Sequence, residues 1–288
     1  MTERHYDRLV TEALREDLGP GDVTTELCIP EDISVEAVVR ARRPLVVSGT
    51  GPFREVLRQV DRSVECRILK RDGEECAAND AVANLRGSCA SILSAERTAL
   101  NFLQHLSGVA TLTRAFVNAI GPGGPGLLDT RKTTPGLRNL EKEAVRHGGG
   151  QNHRRALFDG IIIKDNHIAA AGGVRAALER ARAGAPVGMK VEIEVDTLDQ
   201  LREALEGGAE IVLLDNMDPD GLRRAVALAE EFCAPGPRRV LLEASGGVTL
   251  DTVKEISETG VDFVSTGALT HSAPAADLGL DFFPRGVY

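Results

Sequence analysis

The first part of the chain alternates helical and strand-like patterns of hydrophobic and polar residues. Residues 5–18 carry apolar side chains at helical spacing, including Leu9, Val10 and Leu14, and the GPGD segment that follows breaks the pattern. Strands are predicted at 34–42, 63–70 and 80–86, and a helix at 52–61. Together these elements predict a small α+β domain.

A long helical pattern follows this domain. Apolar residues recur at helical spacing from Ala90 to Ile120, and the glycine and proline cluster at 121–126 stops the pattern. The prolines of this cluster lack the amide donors that a phosphate cradle needs. The cluster is therefore interpreted as a linker.

After the cluster, short β-rich runs alternate with helical stretches. The runs are LLDT (127–130), IIIKD (161–165), KVEIEV (190–195), IVLLD (211–215), VLLEAS (240–245) and FVST (263–266). Such alternation predicts βα units and a parallel sheet. About six units are fewer than the eight of a complete TIM barrel. We therefore expect an α/β fold with an incomplete α/β barrel, and an open doubly wound sheet is the alternative.

Composition excludes several classes of protein. The 288 residues suffice for two domains or for a barrel with an extension, and 42% hydrophobic content supports a real core. A formal net charge of −9 disfavours nucleic-acid and anionic-membrane binders, which need a basic face. The five cysteines form no CxxC pair, so neither a zinc site nor a disulfide framework is indicated. With no signal-like or membrane-spanning run, we expect a cytoplasmic protein.

Polar and charged side chains stand near the ends of the predicted strands. They are Asp129, Arg131, Lys164, Asp165, Glu194, Asp215, Glu243, Ser245, Ser265 and Thr266. Barrels of parallel strands build their active sites at the carboxyl ends of the strands, so these side chains are expected to converge on one mouth. Ends that reach solvent are also polar, but six ends with complementary charges are not explained by solvation alone.

The strand KVEIEV predicts two inward-facing acids. Its pleat sends Ile193 and Val195 to one face and Glu192 and Glu194 to the other. The apolar face packs on helices, and carboxylates inside a barrel are costly unless a cation meets them.

Glu194, together with Asp215 at the end of the next strand, would suit a magnesium ion that also binds substrate oxygens. The alternative is that these acids only pair with Lys132 or Lys164.

Segment 131–155 concentrates cations. Arg131 and Lys132 follow a strand end, and His153 and Arg154 precede the next strand, so these four can face the mouth. The helical stretch within the segment is interpreted as a solvated helix that bears Arg138, Lys142 and Arg146.

Two glycine motifs follow the last two strands. Ser-Gly-Gly at 245–247 and Ser-Thr-Gly at 265–267 stand where barrels usually bind phosphate through backbone amides. Either motif alone could be an ordinary turn. Two on consecutive strands, near acids that suit a metal ion, favour a phosphate cradle.

Several motifs together resemble the quinolinate phosphoribosyltransferase family. They are DTRKTTPGLR (129–138), HGGGQNHR (147–154), IIIKDNHI (161–168), VEIEVD (191–196), LLDNM (213–217), EASGG (243–247) and SAERTALN (94–101). The resemblance covers essentially the whole chain. It implies an enzyme of de novo NAD biosynthesis that uses quinolinate, phosphoribosyl diphosphate and Mg²⁺ to make nicotinate mononucleotide, diphosphate and carbon dioxide.

The resemblance also implies a domain organisation and an assembly. Residues 1–115 with 273–288 would form an N-terminal α/β sandwich domain, and residues 116–272 would form the barrel. The family is commonly a homodimer in which this domain of one subunit covers the barrel mouth of the other. Arg97 would then be supplied across the interface, and a higher oligomer is left open.

Site residues carry over by motif. The quinolinate pocket is expected at Thr130, Arg131, His153, Arg154 and Lys164, with Arg97 from the neighbour. The groups around the ribose diphosphate and Mg²⁺ are expected to be Lys132, Glu194 and Asp215, which are the expected catalytic residues. The 5-phosphate cradle is expected at Ser245, Gly246, Gly247, Thr266, Gly267 and Ala268. Arg155-Ala156 departs from the family pattern and leaves the choice between Arg154 and Arg155 open.

Two other functions stay open. One is a phosphoribosyltransferase for a monocarboxylate such as nicotinate, and the other is a catalytically silent relative with the same barrel. The joint presence of Arg97, Arg131, Arg154 and Lys164 favours a dicarboxylate substrate. Lys132, Glu194 and Asp215 favour an active enzyme.

Overall fold

The computed structural model describes residues 6–30, 32–234 and 239–284, which fall into two compact units. The first unit holds the described residues up to Arg114, the segment Thr134–Gly149 and the described residues from Ser272 onward. The second holds Ala115–Thr133 and Gly150–His271. The predicted domain boundaries near residues 115 and 272 stay a prediction, because compactness does not test independent folding.

Strands and helices follow one another along the described chain. The strands are β1 (Ser34–Ala41), β2 (Leu45–Val46), β3 (Glu65–Ile68), β4 (Glu75–Cys76), β5 (Ala81–Ser88), β6 (Gly126–Leu128), β7 (Ile161–Ile163), β8 (Val191–Val195), β9 (Ile211–Asp215), β10 (Leu241–Ser245), β11 (Phe263–Ser265) and β12 (Leu278–Pro284). The helices are α1 (Asp7–Leu18), α2 (Val23–Cys28), α3 (Thr50–Val60), α4 (Cys89–Ile120), α5 (Arg138–His147), α6 (Asp165–Ala171), α7 (Val174–Gly184), α8 (Leu198–Glu206), α9 (Pro219–Cys233), α10 (Val253–Ser257) and α11 (Ala268–His271).

The first unit is built on an antiparallel sheet with the strand order β12-β1-β5-β3. Along β1, Val35, Ala37, Val39 and Ala41 are buried while the residues between them are not, as expected for a strand with one covered face. The predicted α+β domain is confirmed, with its three strands and its two helices in the predicted places. The two-residue pair of β2 with β4 was not predicted.

Helix α5 lies in the first unit and is less solvated than predicted. Lys142 is 4% exposed and Glu141 is fully buried, although Arg146 is exposed. The interpretation of Lys142 as a solvated charge is therefore wrong. The carboxylate of Glu141 accepts hydrogen bonds from His105 (2.8 Å) and from the amide of Thr134 (3.0 Å), so its burial is compensated.

The second unit is built on a parallel sheet with the strand order β6-β11-β10-β9-β8-β7. Each strand from β7 to β10 pairs with its successor in the chain, and β11, the last strand of this sheet, pairs with β6, the first. A doubly wound sheet would instead reverse direction from a central strand, so this order confirms the incomplete barrel. The break lies between β6 and β7, where Leu128 makes a single parallel bridge to Gln151.

The six barrel strands agree with the predicted runs to within two residues at either end. Their outward side chains, such as Ile193, Val212 and Leu242, are buried, as expected for strands covered by helices. In the described part of the chain, no helix is long and apolar enough to cross a membrane. All five cysteines are free thiols.

Candidate active site

The carboxyl ends of the barrel strands bring most of the predicted site residues to one edge of the sheet. Thr130, Arg131 and Lys132 follow β6, and Lys164 follows β7. Glu194 is the fourth residue of β8, and Asp215 is the last residue of β9. Ser245 ends β10, and Thr266 follows β11. Because these strands are parallel neighbours, their carboxyl ends lie at the same edge of the sheet, where the site residues were expected to converge.

The two predicted acids of the mouth project from the same face of neighbouring strands. Glu194 pairs in register with Leu213, and Asp215 lies two residues further along that strand. Lys164 forms an ion pair with Glu194, which is the alternative role considered for these acids. The carboxylate of Asp215 accepts a hydrogen bond from the side chain of Asn216 (2.7 Å).

The glycine turns after β10 and β11 lie beside each other. Ser265 and Ser245 are joined through their hydroxyl groups at 2.9 Å. Gly246 has a φ of +91°, and a Cβ atom at this position would lie 2.2 Å from the side-chain oxygen of Asn216. Only glycine therefore fits this turn without displacing its neighbour. Gly247 has a φ of +61° with open space around it.

Lys132 lies against the second glycine turn. A Cβ atom on Gly267 would come within 2.9 Å of the Lys132 side chain. The backbone oxygen of Lys132 accepts a hydrogen bond from Thr270 (2.7 Å), and its amide donates to Thr130 (3.0 Å). The predicted diphosphate lysine and the predicted phosphate turn are thus adjacent.

Arg131 and Arg154 concentrate positive charge in one place. Burial lowers the pKa of Arg154, and the nearby charge of Arg131 lowers it further. Arg154 donates to the backbone oxygen of Gly160 (2.9 Å), while its buried Nε finds no acceptor among the described residues. Two neighbouring guanidinium groups in this state favour an anionic ligand. Arg155 is exposed, and its amide binds Asp159.

Inside the barrel, His153 lies between two buried carboxyl groups. Its Nε2 is 3.0 Å from Glu192 and 3.5 Å from Glu243. Its backbone amide donates to the fully buried Asp129 (2.8 Å), which also accepts from Asn152 (2.6 Å). Glu243 lies two residues before the end of β10 and is 2% exposed. Its register partner Leu213 is also the partner of Glu194, so the two glutamates lie at the same level of the sheet.

Opposing effects act on the charge of this cluster. Burial lowers the pKa of His153, whereas its hydrogen bonds to Glu192 and Glu243 act in the opposite direction. Burial is also the main reason why the pKa of Glu192 is raised. The amide of Arg154 donates to Nδ1 of His153 (2.7 Å), which opposes a proton on Nδ1. We therefore assign a neutral ring whose proton is on Nε2.

The ligand atoms of His153, Glu192 and Glu243 lie within 4.8 Å of one another, close enough to hold a metal ion. A metal on Nε2 would need the ring proton on Nδ1, where the Arg154 amide already donates. The cluster therefore favours a proton over a metal. Sequence reasoning placed Glu192 inside the barrel and required a cation-capable partner for it, but it did not identify His153 as that partner.

A cavity of about 720 Å³ lies on the other side of this cluster. Ile161, Ile211, Leu241 and Phe263, which begin their strands, line it together with His153 and Arg154. It therefore lies toward the amino ends of the strands, and His153 and Arg154 are the predicted substrate residues that line it.

Arg97 belongs to the first unit and lies exposed on α4. Its charge partly offsets the effect of burial, which raises the pKa of the neighbouring Glu96. Its predicted role in a neighbouring subunit stays a prediction.

Comparison with known proteins gives matches over nearly the whole chain. The family model described as "Quinolinate phosphoribosyl transferase, C-terminal domain" matches residues 109–281, and that of the N-terminal domain matches residues 22–107. A probable carboxylating nicotinate-nucleotide pyrophosphorylase of Bacillus subtilis is 40% identical over 281 residues, which cover 98% of this chain and 94% of the relative. The Mycobacterium leprae enzyme of that name is 42% identical, with coverages of 94% and 95%. The structure of nicotinate-nucleotide pyrophosphorylase from Francisella tularensis superposes with a TM-score of 0.91 at 40% identity, and 98% of each chain is covered.

Proposed function

Because this chain belongs to the quinolinate phosphoribosyl transferase family, it catalyses the carboxylating nicotinate-nucleotide pyrophosphorylase reaction of NAD biosynthesis, and we propose that this reaction takes place at the barrel mouth. The reaction joins quinolinate to phosphoribosyl diphosphate and yields nicotinate mononucleotide, diphosphate and carbon dioxide. The observation that supports the proposed location is the buried Nε of Arg154, which has no acceptor among the described residues, together with the nearby charge of Arg131, which follows β6.

Arg131, Arg154 and Lys164 bind the two carboxylates of quinolinate in this proposal, with Thr130 and His153 in the same pocket. Guanidinium groups bind carboxylates in a fixed geometry, whereas lysine acts as a point charge. Lys164 would leave its ion pair with Glu194 to bind a substrate carboxylate. Its side chain is 45% exposed in this pair, so the substrate can reach it.

Phosphoribosyl diphosphate occupies the adjoining half of the mouth. The turns Ser245–Gly247 and Thr266–Ala268 offer their amides to the 5-phosphate. Lys132, which lies against Gly267, meets the diphosphate. Glu194 and Asp215 would hold Mg²⁺, directly or through water, because carboxylates on one face of neighbouring strands suit an ion that takes its other oxygens from substrate. When bound, the ion neutralises charge on the diphosphate.

The chemistry needs orientation more than a protein nucleophile. The pyridine nitrogen of quinolinate forms a bond to the anomeric carbon as the bond from that carbon to diphosphate breaks. Lys132 stabilises the departing diphosphate, and the Glu194 carboxylate stabilises the positive charge that develops on the sugar. The ring nitrogen is then cationic, so the electron pair of the 2-carboxylate bond can stay on the ring as carbon dioxide leaves. That ring carbon takes a proton from solvent.

The assembly proposed is a homodimer in which Arg97 completes the quinolinate pocket of the partner subunit. The SAERTALN motif and the exposure of Arg97 on α4 support this arrangement. A cytoplasmic location is proposed as well, on the strength of the free thiols and the absence of a membrane-spanning helix among the described residues.

A direct assay tests this function. Purified protein is incubated with quinolinate, phosphoribosyl diphosphate and Mg²⁺, and nicotinate mononucleotide and diphosphate are measured. We expect equimolar products that disappear when Mg²⁺ is chelated. Product from nicotinate but none from quinolinate would replace this function with a monocarboxylate phosphoribosyltransferase. No product from either substrate would indicate a silent relative.

A further inference from the structure

Glu192 on β8 and Glu243 on β10 are buried carboxyl groups that face the interior of the barrel. They are 5% and 2% exposed, and each directs one oxygen at Nε2 of His153. The other oxygen of each is buried without a hydrogen-bond partner in the described part of the chain. Burial of such groups is costly, and the proposed reaction steps do not use them. Their shared contact with His153 indicates that they act on this ring.

The ring of His153 has both nitrogens engaged inside the protein. Nδ1 accepts the Arg154 amide at 2.7 Å, so the ring proton is on Nε2 and donates to Glu192. The backbone amide of His153 is held by Asp129. With both nitrogens engaged, the ring cannot also bind a substrate carboxylate unless one of these bonds breaks.

Hydrogen bonds also link His153 to Arg154 and hold the Arg154 guanidinium in place. The Arg154 amide is fixed by the imidazole, and its Nη1 is fixed by the oxygen of Gly160 at 2.9 Å. Nε of Arg154 remains buried and without an acceptor among the described residues. A buried donor that is held at two points and still unpaired is prepared for a ligand oxygen.

We propose that Glu192 and Glu243 are positioning residues, which fix the Nε2–H tautomer of His153 and thereby hold Arg154 beside Arg131 for the substrate dicarboxylate. His153 then acts on quinolinate through Arg154 and not by direct contact. This inference rests on the proposed function for its kinetic consequence, but the tautomer of His153 can be measured without substrate.

The kinetic test compares a variant that lacks an acceptor with one that keeps it. Glu192→Leu removes both oxygens, whereas Glu192→Gln keeps an oxygen that can accept from Nε2–H. We expect Glu192→Leu to raise KM for quinolinate about tenfold or more, the usual scale for one lost buried hydrogen bond, with KM for phosphoribosyl diphosphate changed by less than about twofold. Glu192→Gln should restore most of the quinolinate KM.

Glu55→Gln is the matched control, because Glu55 is a fully buried carboxylate of the first unit that pairs with Arg58. It should change thermal stability without changing the KM for quinolinate. The inference is overturned if Glu192→Leu leaves both KM values unchanged, if it raises them equally, or if Glu192→Gln is as defective as Glu192→Leu.

The spectroscopic test reads the ring directly. Long-range ¹H–¹⁵N spectra of ¹⁵N-histidine-labelled protein, assigned by comparison with His153→Gln, should show the Nε2–H tautomer at His153 in the wild type. Glu192→Gln and Glu243→Gln preserve side-chain volume and so test the idea if Glu192→Leu does not fold. Each should keep the Nε2–H tautomer, because the amide oxygen can still accept, and should shift the Nε2 resonance, because the carboxyl group is gone. An Nδ1–H tautomer, or a stoichiometric metal ion that is lost in Glu192→Gln, would refute it. Failure of the proposed function is distinguishable, since the wild type would then lack product while the tautomer result stands.

Discussion

At the scale of single residues, the proposed pocket depends on the charges of Arg131 and Arg154, which we expect to favour a dicarboxylate substrate. Burial and mutual repulsion both disfavour the pair of guanidinium groups, as the lowered pKa of Arg154 reflects. A dicarboxylate relieves that repulsion, whereas a monocarboxylate relieves less of it. The cost of holding two cations together is thus a source of selectivity.

Arg131→Ala and Arg154→Ala should each lower kcat/KM for quinolinate by about 30-fold or more, because loss of one partner of a buried charge pair costs about 2–5 kcal/mol. The KM for phosphoribosyl diphosphate should change little. Steady-state kinetics with each substrate varied in turn provides the measurement. Arg155→Ala is the control, since Arg155 is the exposed neighbour. A variant of Arg131 or Arg154 that raised only the KM for phosphoribosyl diphosphate would show that the pocket assignment is wrong.

The sequence predicted which side chains face the barrel interior, because this depends on alternation along a strand. It did not predict which of these side chains meet, because this depends on the curvature of the sheet. Alternation in KVEIEV correctly turned Glu192 and Glu194 inward. It could not show that Glu192 meets Glu243, because β9 separates their strands and only the curved sheet brings the two carboxyl groups to one histidine. The pairing of Lys164 with Glu194 was foreseen as an alternative, since both follow directly from neighbouring strand ends.

At the scale of elements, the helices and strands nearest the site are ended by specific caps and turns. The glycine turn after β10 is one of them. Strand ends were predictable to within two residues because polar residues and glycines mark them. The short β2 and β4 were not, because a two-residue strand has no period to detect.

Gly246→Ala should be more damaging than Gly247→Ala. Both glycines have positive φ, where alanine costs about 1 kcal/mol, but only at Gly246 would the new methyl group also collide with Asn216. We expect a larger fall in melting temperature for Gly246→Ala by calorimetry. The KM for phosphoribosyl diphosphate should also rise more in that variant. Equal effects of the two substitutions would mean that the Asn216 contact does not constrain the turn.

Asp22 caps α2 and connects it to α4. Its carboxylate accepts from the amide of Thr25 (3.0 Å), from the Thr25 hydroxyl (2.6 Å) and from Ser94 (3.1 Å). The hydrogen bonds of Thr25 are the main cause of its lowered pKa. A carboxyl group whose pKa is lower in the folded state stabilises that state above its unfolded value of 3.8, and the contribution is lost as the pH falls through the folded value.

Asp22→Asn should therefore melt below the wild type at pH 7, and the difference should shrink as the pH falls below about 3.8. Asparagine is an equally good N-cap, so the substitution removes the charge and keeps the cap. Melting temperatures between pH 2 and pH 8 measure the effect, with Asp32→Asn as the control at an exposed aspartate. A difference that stays constant across this range would assign the effect to shape and not to charge.

At the scale of the whole molecule, the sequence predicted the barrel because its period of strand and helix is regular. It left the doubly wound alternative open, because the order of strands in a sheet is set by pairing between distant segments. The pairing of β11 with β6 decides the matter. Strand β12, near the end of the chain, pairs with β1, near its beginning. Neither segment carries a sequence pattern that would predict this pairing.

The last prediction concerns sharing of the active site between subunits, and its motivation is the exposed Arg97 on α4 in the unit that does not contain the barrel strands. Arg97→Ala and Lys164→Ala homodimers should each be nearly inactive. In a mixed dimer, one mouth combines both defects, and the other combines intact Arg97 with intact Lys164. Verified mixed dimers, isolated with two different affinity tags, should therefore recover up to about half of the wild-type activity. If Arg97 served its own subunit, each mouth would carry one defect and the mixed dimers would stay as inactive as the two parents.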